Sequence, residues 1–364
     1  MKKSFARMAA ALLAAIFFII PVEVGAISAE KAIVMDADTG RVLFEKNAGS
    51  RSLIASTTKI MTALLVCEQC NVLDRVCIPK EAVGLEGSSM YLQEGEILTV
   101  QDLLYGLMLR SGNDAAVALA IYCGGTVEGF VAMMNDKARQ LGLNTTNFQN
   151  PHGLDGTHHY SCAEDLAILT SYAMKNPIFA KTVSTKTVQA GNRLLTNHNK
   201  LLWRMDGVEG VKTGYTKAAG RILVSSATRS GRRLIAVTIN APDDWNDHIA
   251  LFNAGFLNYK PNVLIEAGEL LGYADVSGGI DRQVSLVAKV RFEYALAPSE
   301  DVCLELQTID SINAPISCDQ YAGEVVIYVD GQKVGQVPVC FGEMIWSLPE
   351  KIPFWKKLFG CAIE

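Results

Sequence analysis

The sequence predicts an α+β fold, in which the strands of one antiparallel sheet lie near both ends of a segment and enclose a block of helices. Residues 32–45 and 208–240 alternate between apolar and polar positions, whereas apolar residues between them recur at helical spacing. Residues 262–348 contain short apolar runs separated by turn residues, which predicts a small β-rich domain after the helical block.

The first predicted element is a hairpin, because residues 32–45 alternate around the turn Asp38-Thr39-Gly40. Helical spacing then begins at or near Ser56. Thr99-Val-Gln-Asp102 resembles a capping box and predicts a second helix that ends at Ser111-Gly112. Further helices are expected at 113–122, 126–142, 161–174 and 249–257.

Strands return near residue 208, where Val211 leads into a short polar motif. The turn Ser230-Gly231 is expected to join residues 222–227 and 234–240 in a second hairpin.

A domain boundary is predicted at Tyr259-Lys260-Pro261. Beyond it, Asp330-Gly331 is expected to join residues 324–329 and 333–339 in a third hairpin. Because no catalytic cluster is visible in this segment, residues 262–350 are interpreted as an accessory β-rich domain.

Composition limits the class of protein. With 364 residues, the chain is long enough for two domains with their own cores. Apolar residues make up 49% and charged residues 20%, which is typical of a globular protein. The net charge of −5 and the lack of a basic patch argue against a nucleic-acid partner.

The N-terminus has the pattern of a signal peptide. Three basic residues precede an apolar run at residues 8–20, and Val24-Gly25-Ala26 offers small residues for cleavage. Because the run is shorter than the ~20 residues of a membrane span, residues 1–26 are predicted to be a cleaved signal peptide. An uncleaved anchor is the alternative. The protein is therefore expected to be exported across the cytoplasmic membrane.

Nine cysteines in an exported chain require an interpretation. Cys67 and Cys70 lie in a helical pattern, where a spacing of three places both on one face. No second cysteine or histidine pair completes a zinc site, so they are interpreted as small buried residues. The clustered histidines, which are His152, His158 and His159, are interpreted as loop-positioning residues rather than metal ligands.

Three short motifs follow one another along the chain: Ser56-Thr-Thr-Lys59, Ser111-Gly-Asn113 and Lys212-Thr213-Gly214. Each motif alone is common, since Ser28…Lys31 and Ser311-Ile-Asn313 repeat the first two patterns. The ordered set is much more specific and is typical of penicillin-binding proteins and class A β-lactamases.

The first motif suits nucleophilic catalysis. A serine hydroxyl is a weak nucleophile until a neighbouring base takes its proton. Residues three apart on a helix share a face, so Lys59 is placed beside Ser56, and it acts as a base when burial or a nearby cation keeps it neutral. The free N–H groups at a helix start help to form an oxyanion hole. An ordinary N-cap beside a surface lysine is the alternative.

The other two motifs suit substrate handling. Ser111 is placed to relay a proton, and the Asn113 amide to orient a substrate amide. Lys212 is a candidate partner for an anion, Thr213 a hydroxyl donor, and Gly214 permits close approach of a substrate backbone. The alternative is a pair of helix caps and a strand that runs into a turn.

The chain resembles the low-molecular-mass penicillin-binding proteins that act as D-alanyl-D-alanine carboxypeptidases. Beyond the motifs, residues 150–154 (Asn-Pro-His-Gly-Leu), 159–161 (His-Tyr-Ser) and 207–220 are similar to family segments, so the resemblance covers about residues 30–350. It implies a β-lactamase/transpeptidase-like catalytic domain at residues 27–260.

By this resemblance, Ser56 is the acylated nucleophile, Lys59 its base and Ser111 the third catalytic residue, and the backbone N–H groups of Ser56 and Tyr215 form the oxyanion hole. The substrate-binding residues implied are Asn113, His198, Lys212, Thr213, Gly214 and Tyr215. The resemblance implies a peptidoglycan stem peptide ending in D-Ala-D-Ala as substrate, β-lactams as covalent inhibitors, and no cofactor or metal.

The sequence departs from the family pattern at three places. Ile54 replaces a frequent proline, His198 stands where some members carry an arginine, and residues 243–248 differ from an arginine-bearing segment in some relatives. A β-lactamase is the sibling alternative, but the region of Glu164 lacks the glutamate and asparagine spacing of class A enzymes. A catalytically silent wall-binding protein is the other alternative, and the intact motifs argue against it.

The last predicted element is a short tail at residues 351–364. Its aromatic and apolar residues share one helical face, and two lysines lie away from that face. The apolar positions are Phe354, Trp355, Leu358 and Phe359. We expect peripheral membrane contact from this pattern. A structured end to the β-rich domain is the alternative.

Overall fold

The computed structural model describes residues 25–309 and 311–349. Nearly all of the predicted signal peptide (1–26) and all of the predicted tail (351–364) lie outside the described residues. The chain divides into two compact units, the first ending at Asn258 and the second beginning at Tyr259.

The first unit combines nine strands and eight helices among the residues described. Its strands are β1 (Lys31–Asp36), β2 (Val42–Lys46), β3 (Arg75–Cys77), β4 (Ile97–Thr99), β5 (Thr187–Ala190), β6 (Arg193–Thr196), β7 (Val208–Thr216), β8 (Gly220–Arg229) and β9 (Arg232–Ile239). Its helices are α1 (Lys59–Gln69), α2 (Val100–Leu109), α3 (Asn113–Gly124), α4 (Val127–Gln140), α5 (Ala163–Ala173), α6 (Pro177–Ser184), α7 (Leu201–Arg204) and α8 (Asp244–Asn258). Two 3₁₀ turns, Ala55–Thr58 and Lys80–Ala82, complete the set.

The main sheet is antiparallel and has the strand order β2-β1-β9-β8-β7. Successive side chains of β9 point to opposite faces of the sheet, as in any β-strand. Ile235 and Val237 join the core of the helical block. Leu234 lies beside Gly255 of α8, and the Thr238 hydroxyl contacts α8 as well. The predicted α+β fold is confirmed.

Helix α1 is the centre of the helical block. Every residue from Lys59 to Cys67 is buried, and α1 packs against α2, α3, α4, α5 and α6. Because the helix has no solvent-facing side, its first residue cannot extend its amine into bulk water.

Most predicted elements are present, and the capping box predicted at the start of α2 is complete. The hairpin β1–β2 and the helices α2 to α5 occur where predicted. Thr99 and Asp102 form a complete capping box, in which each side chain accepts the other residue's backbone N–H. The closing helix α8 is longer than predicted. Helix α6 and the hairpin β5–β6 were not predicted.

Helical structure begins where it was expected, near Ser56, as a 3₁₀ turn at Ala55–Thr58 that leads into α1 at Lys59. One local expectation is wrong. Cys70 does not share a helical face with Cys67, because α1 ends before it and the Cys70 backbone is extended.

The second unit is built from strands. They are β10 (Lys260–Ile265), β11 (Leu270–Asp275), β12 (Gln283–Ala288), β13 (Phe292–Leu296), β14 (Val302–Thr308), β15 (Tyr321–Val329) and β16 (Gln332–Phe341). Five form a sheet of order β11-β12-β16-β15-β14, and β10 pairs with β13. The predicted hairpin around Asp330-Gly331 is β15–β16. Val284, Leu286 and Ile327 lie in its separate core.

Within residues 25–309 and 311–349, no single helix has the length and apolar character needed to cross a membrane, and only the bent pair α3–α4, at 84°, meets that criterion when both helices are taken together.

Candidate active site

The first motif places a lysine amine against a serine hydroxyl. In a 3₁₀ turn, residues three apart eclipse one another, so the Ala55–Thr58 turn brings Ser56 directly over Lys59. The Lys59 Nζ lies 3.1 Å from Ser56 Oγ, 2.7 Å from Asn113 Oδ1 and 2.6 Å from the carbonyl oxygen of His152. When the amine is neutral, its lone pair is available to accept the proton of the Ser56 hydroxyl.

Burial favours that neutral amine. Lys59 has no exposed surface, and this burial lowers its pKa well below the usual range. The nearby charge of Lys212 lowers the pKa further, while Asp114 opposes the shift.

The turn that carries Ser56 is held in an unusual shape. Ala55 has a φ of 45°, in the left-handed region. Its carbonyl oxygen accepts a hydrogen bond from Thr58 Oγ1 at 2.9 Å, and Thr58 Oγ1 lies 2.7 Å from His159 Nε2. Because the Gln149 N–H donates to His159 Nδ1, the neutral ring carries its proton on Nε2 and donates it to Thr58.

The segment at residues 150–154 packs directly on this turn. A Cβ at Gly153 would collide with the carbonyl oxygen of Ala55, and Gly153 has a φ of 92° that favours glycine. The Asn150 side chain holds the segment's own turn by accepting from Gly153 N and donating to the carbonyl oxygen of Leu154. His152 and His159 therefore position the turn, and burial first, then the charge of Lys59, lowers the pKa of each to about 4.

The second motif forms the corner between α2 and α3. Ser111 has a φ of 62°, and its buried Oγ has no hydrogen-bond partner among the described residues. Asn113 uses both ends of its amide within the protein, accepting from Lys59 and donating from Nδ2 to the carbonyl oxygen of Glu86 at 2.5 Å. The hydroxyl of Ser111 is thus left available, whereas Asn113 holds the lysine.

The third motif lies on β7, at the edge of the main sheet. A Cβ at Gly214 would stand 3.3 Å from Ala55 Cβ, Ile54 O and Ser56 N, so the strand passes directly beside the Ala55–Thr58 turn. Lys212 is fully buried, its Nζ donates to the carbonyl oxygen of Thr213 at 2.8 Å, and burial lowers its pKa to about 7.

An open cleft of about 530 Å³ lies in front of these groups. Its lining residues are Ser56, Ser88, Arg110, Ser111, Thr196, Asn197, His198, Lys200, Thr213, Gly214, Tyr215, Arg221, Asp244 and Trp245. Of the predicted site residues, Lys59, Asn113 and Lys212 lie behind this lining, and the others line the cleft itself. Burial, with the charges of Lys212 and Arg110, lowers the pKa of His198 to about 4.

The motifs do not reveal a cationic group at one end of the cleft. Arg221, on β8, lies opposite Tyr215 in the β7–β8 pairing. Its Nη2 bonds both oxygens of Asp244, at 2.6 and 2.8 Å, and its guanidinium lies 5.7 Å from the Trp245 ring centre. Arg110 and Lys200 add positive charge to the lining. Pairing β7 with β8 from the sequence would have placed Arg221 opposite Tyr215 and so beside the third motif.

Two family models match the chain. The model described as D-alanyl-D-alanine carboxypeptidase, peptidase S11, matches residues 20–243, and that of the penicillin-binding protein 5 C-terminal domain matches residues 259–345. The chain belongs to the peptidase S11 family. The family resemblance predicted from the motifs is therefore confirmed, and family members are D-alanyl-D-alanine carboxypeptidases of peptidoglycan metabolism.

Several D-alanyl-D-alanine carboxypeptidases and one penicillin-binding protein match the chain over most of their length. D-alanyl-D-alanine carboxypeptidase DacF of Bacillus subtilis is 34% identical, with 86% of this chain and 85% of that protein covered. DacC of Escherichia coli is 32% identical, with 89% and 86% covered. The crystal structure of penicillin-binding protein 5 from Haemophilus influenzae has a TM-score of 0.76 and 32% identity, with 88% of this chain and 98% of that chain covered.

Proposed function

We propose that this S11 enzyme removes the terminal D-alanine from peptidoglycan pentapeptide stems through an acyl-enzyme on Ser56. The observation that carries the proposal is the fully buried Lys59 amine, 3.1 Å from the Ser56 hydroxyl at the wall of an open cleft. A surface lysine beside a helix cap would have neither this burial nor these contacts.

In the acylation step, Lys59 accepts the Ser56 proton while Ser56 Oγ attacks the carbonyl carbon between the two D-alanines. The backbone N–H groups of Ser56 and Tyr215 stabilise the oxyanion, since β7 passes directly beside the Ala55–Thr58 turn. Ser111 Oγ then relays that proton from Lys59 to the departing amine, so that D-alanine leaves and the acyl-enzyme remains. Water attacks that ester and regenerates Ser56.

The terminal carboxylate of the substrate is bound at the cationic side of the cleft. Thr213 donates its hydroxyl, and Lys212 supplies positive charge from behind the strand. Neutral His198 serves as a hydrogen-bonding group there, because its pKa is about 4. We assign the second charged contact to Arg221, whose pairing with Asp244 through Nη2 leaves its other donors for the substrate.

β-Lactams acylate the same serine, and the cleft favours slow release of the product. Among the described residues that line it, the only carboxylate is Asp244, which is paired with Arg221. Glu164 lines a different depression, together with Tyr172 and Lys175. Rapid deacylation by a carboxylate base, as in a class A β-lactamase, is therefore not expected.

The test combines two measurements on purified enzyme. Wild-type protein should gain one penicillin adduct by intact mass and release D-alanine from a pentapeptide, and Ser56→Ala should lose both. Ser28→Ala is the matched control, because Ser28…Lys31 repeats the motif but Ser28 Oγ bonds Asp247 instead of a buried lysine. An adduct on Ser56→Ala, or loss of the adduct in Ser28→Ala of normal stability, would contradict the assignment.

The location and the domain roles complete the proposal. Residues 1–26 direct export, residues 27–260 carry catalysis, residues 262–350 are accessory, and residues 351–364 contact the outer face of the cytoplasmic membrane in the bacterial wall space. Full-length mature enzyme should bind anionic vesicles better than a truncation ending at Lys351, with the difference reduced by salt. Equal binding of both forms would remove the tail as a membrane contact.

A further inference from the structure

Helices α1 and α3 meet at both of their ends. They begin at Lys59 and Asn113, which are hydrogen-bonded to each other at the active site. Cys70 follows the last residue of α1, Cys123 lies in the last turn of α3, and each thiol shifts the pKa of the other. The helices therefore run in the same direction, and Cys70 lies about 16 Å along the axis of α1 from the start of the helix at Lys59.

A neighbouring contact independently joins the same ends. The Tyr122 hydroxyl, next to Cys123, donates to Asp74 Oδ2 at 2.9 Å, in the turn that follows Cys70. Cys70 and Cys123 also pack against the same hydrophobic core while remaining partly exposed.

We propose that Cys70 and Cys123 form a disulfide that ties the far ends of α1 and α3 together and so supports the Lys59–Asn113 contact at their near ends. Disulfides persist in the oxidising space outside the cytoplasmic membrane, where an exported chain resides. The bond depends on the proposed export but not on the proposed catalysis, whereas its effect on acylation depends on both.

The chemistry distinguishes the two sulfurs. The interaction with Cys123 lowers the pKa of Cys70, and the interaction with Cys70 raises that of Cys123. Cys70 is therefore the first nucleophile. Cys67 is the nearest competitor, but burial raises its pKa to about 12 and keeps it a thiol.

The oxidant is a disulfide-bearing molecule, such as a thiol oxidoreductase or, in the assay, oxidised glutathione. The Cys70 thiolate attacks one sulfur of that disulfide and expels a thiolate, which leaves a mixed disulfide. Cys123 then loses its proton and attacks Cys70 Sγ, expelling the second thiolate. The protein loses two electrons and two protons, and the oxidant is reduced to two thiols.

The experiment uses the mature enzyme in reduced and oxidised glutathione, followed by alkylation under denaturing conditions and peptide mapping. Oxidation should protect Cys70 and Cys123 from alkylation and lower the intact mass by about 2 Da. The Tm should be higher for the oxidised form, and this difference should disappear in both Cys70→Ser and Cys123→Ser. Cys77→Ser, at an exposed cysteine of β3, is the control that should keep it.

Three results would overturn the inference: full alkylation of Cys70 after oxidation, a mapped Cys67–Cys70 bond, or an oxidation-dependent Tm rise that survives in Cys123→Ser. The penicillin acylation rate should be higher for the oxidised enzyme, and equal rates with the bond formed would remove its positioning role. Failure of acylation in both redox states would count against the proposed function and leave the mapped bond intact.

Discussion

The contact between β7 and the Ala55–Thr58 turn makes Gly214→Ala a sensitive test of the proposed oxyanion site. The added Cβ would lie 3.3 Å from three atoms, Ala55 Cβ, Ile54 O and Ser56 N, so strand and turn must separate by a few tenths of an ångström. The turn has little freedom to adjust, because Thr57 and Thr58 each bond a carbonyl oxygen within it. The displacement is therefore concentrated between the N–H of Ser56 and the strand.

The expected effect on catalysis is large compared with that on stability. Losing one oxyanion donor costs about 100- to 1,000-fold in rate, so a donor displaced rather than removed should cost about 10- to 100-fold. Gly214 does not have a positive φ, and one methyl group against yielding neighbours should change the free energy of unfolding by about 1 to 2 kcal/mol.

The assay is the second-order acylation rate with a fluorescent penicillin, measured together with the Tm. Gly49→Ala is the matched control, since its new Cβ would lie 3.7 Å from Glu164 and away from the cleft. A Gly214→Ala enzyme that folds normally and acylates at the wild-type rate would refute the assignment of the oxyanion site to the space between β7 and the Ala55–Thr58 turn.

Three further predictions concern buried ionisable side chains. Lys59→Arg should slow acylation about 100- to 10,000-fold, because arginine stays protonated, and a fast variant would exclude Lys59 as the base. Lys212→Met should move the rising limb of the acylation pH profile to higher pH, because the Lys212 charge lowers the pKa of Lys59; an unmoved limb contradicts this coupling. Burial lowers the pKa of His248 from 6.5 to about 3, so unfolding takes up a proton between these values and wild-type stability falls as pH falls through them. In urea titrations, His248→Gln should lose up to about 1.4 kcal/mol per pH unit of that dependence, and an unchanged slope would exclude this histidine as its source.

Short spacings along the chain predicted both the helix boundaries and the residues of the three motifs. The capping box at Thr99 and the spacing of Ser56 and Lys59 depend on residues three apart, which a sequence displays directly. The 3₁₀ turn was missed because its cause is distant: Gly153 and His159, far along the chain, fix the shape of Ala55.

The cationic end of the cleft was missed for a related reason. Arg221 becomes part of the site only when the β7–β8 pairing places it opposite Tyr215 and α8 supplies Asp244. Lys212 was predicted as an anion partner, yet its complete burial arises from packing around β7 that no short motif encodes. The roles of Lys212 and Arg221 in substrate binding remain predictions.

The burial of Lys212 has a consequence for how substrate binding is measured. With its pKa lowered to about 7, this side chain is only partly protonated at neutral pH before substrate arrives. A bound carboxylate favours the ammonium form, so complex formation should draw protons from solvent. Titration calorimetry in buffers of different ionisation enthalpy would then report different heats for one binding event, and the apparent affinity for a carboxylate-bearing peptide would carry the signature of proton uptake.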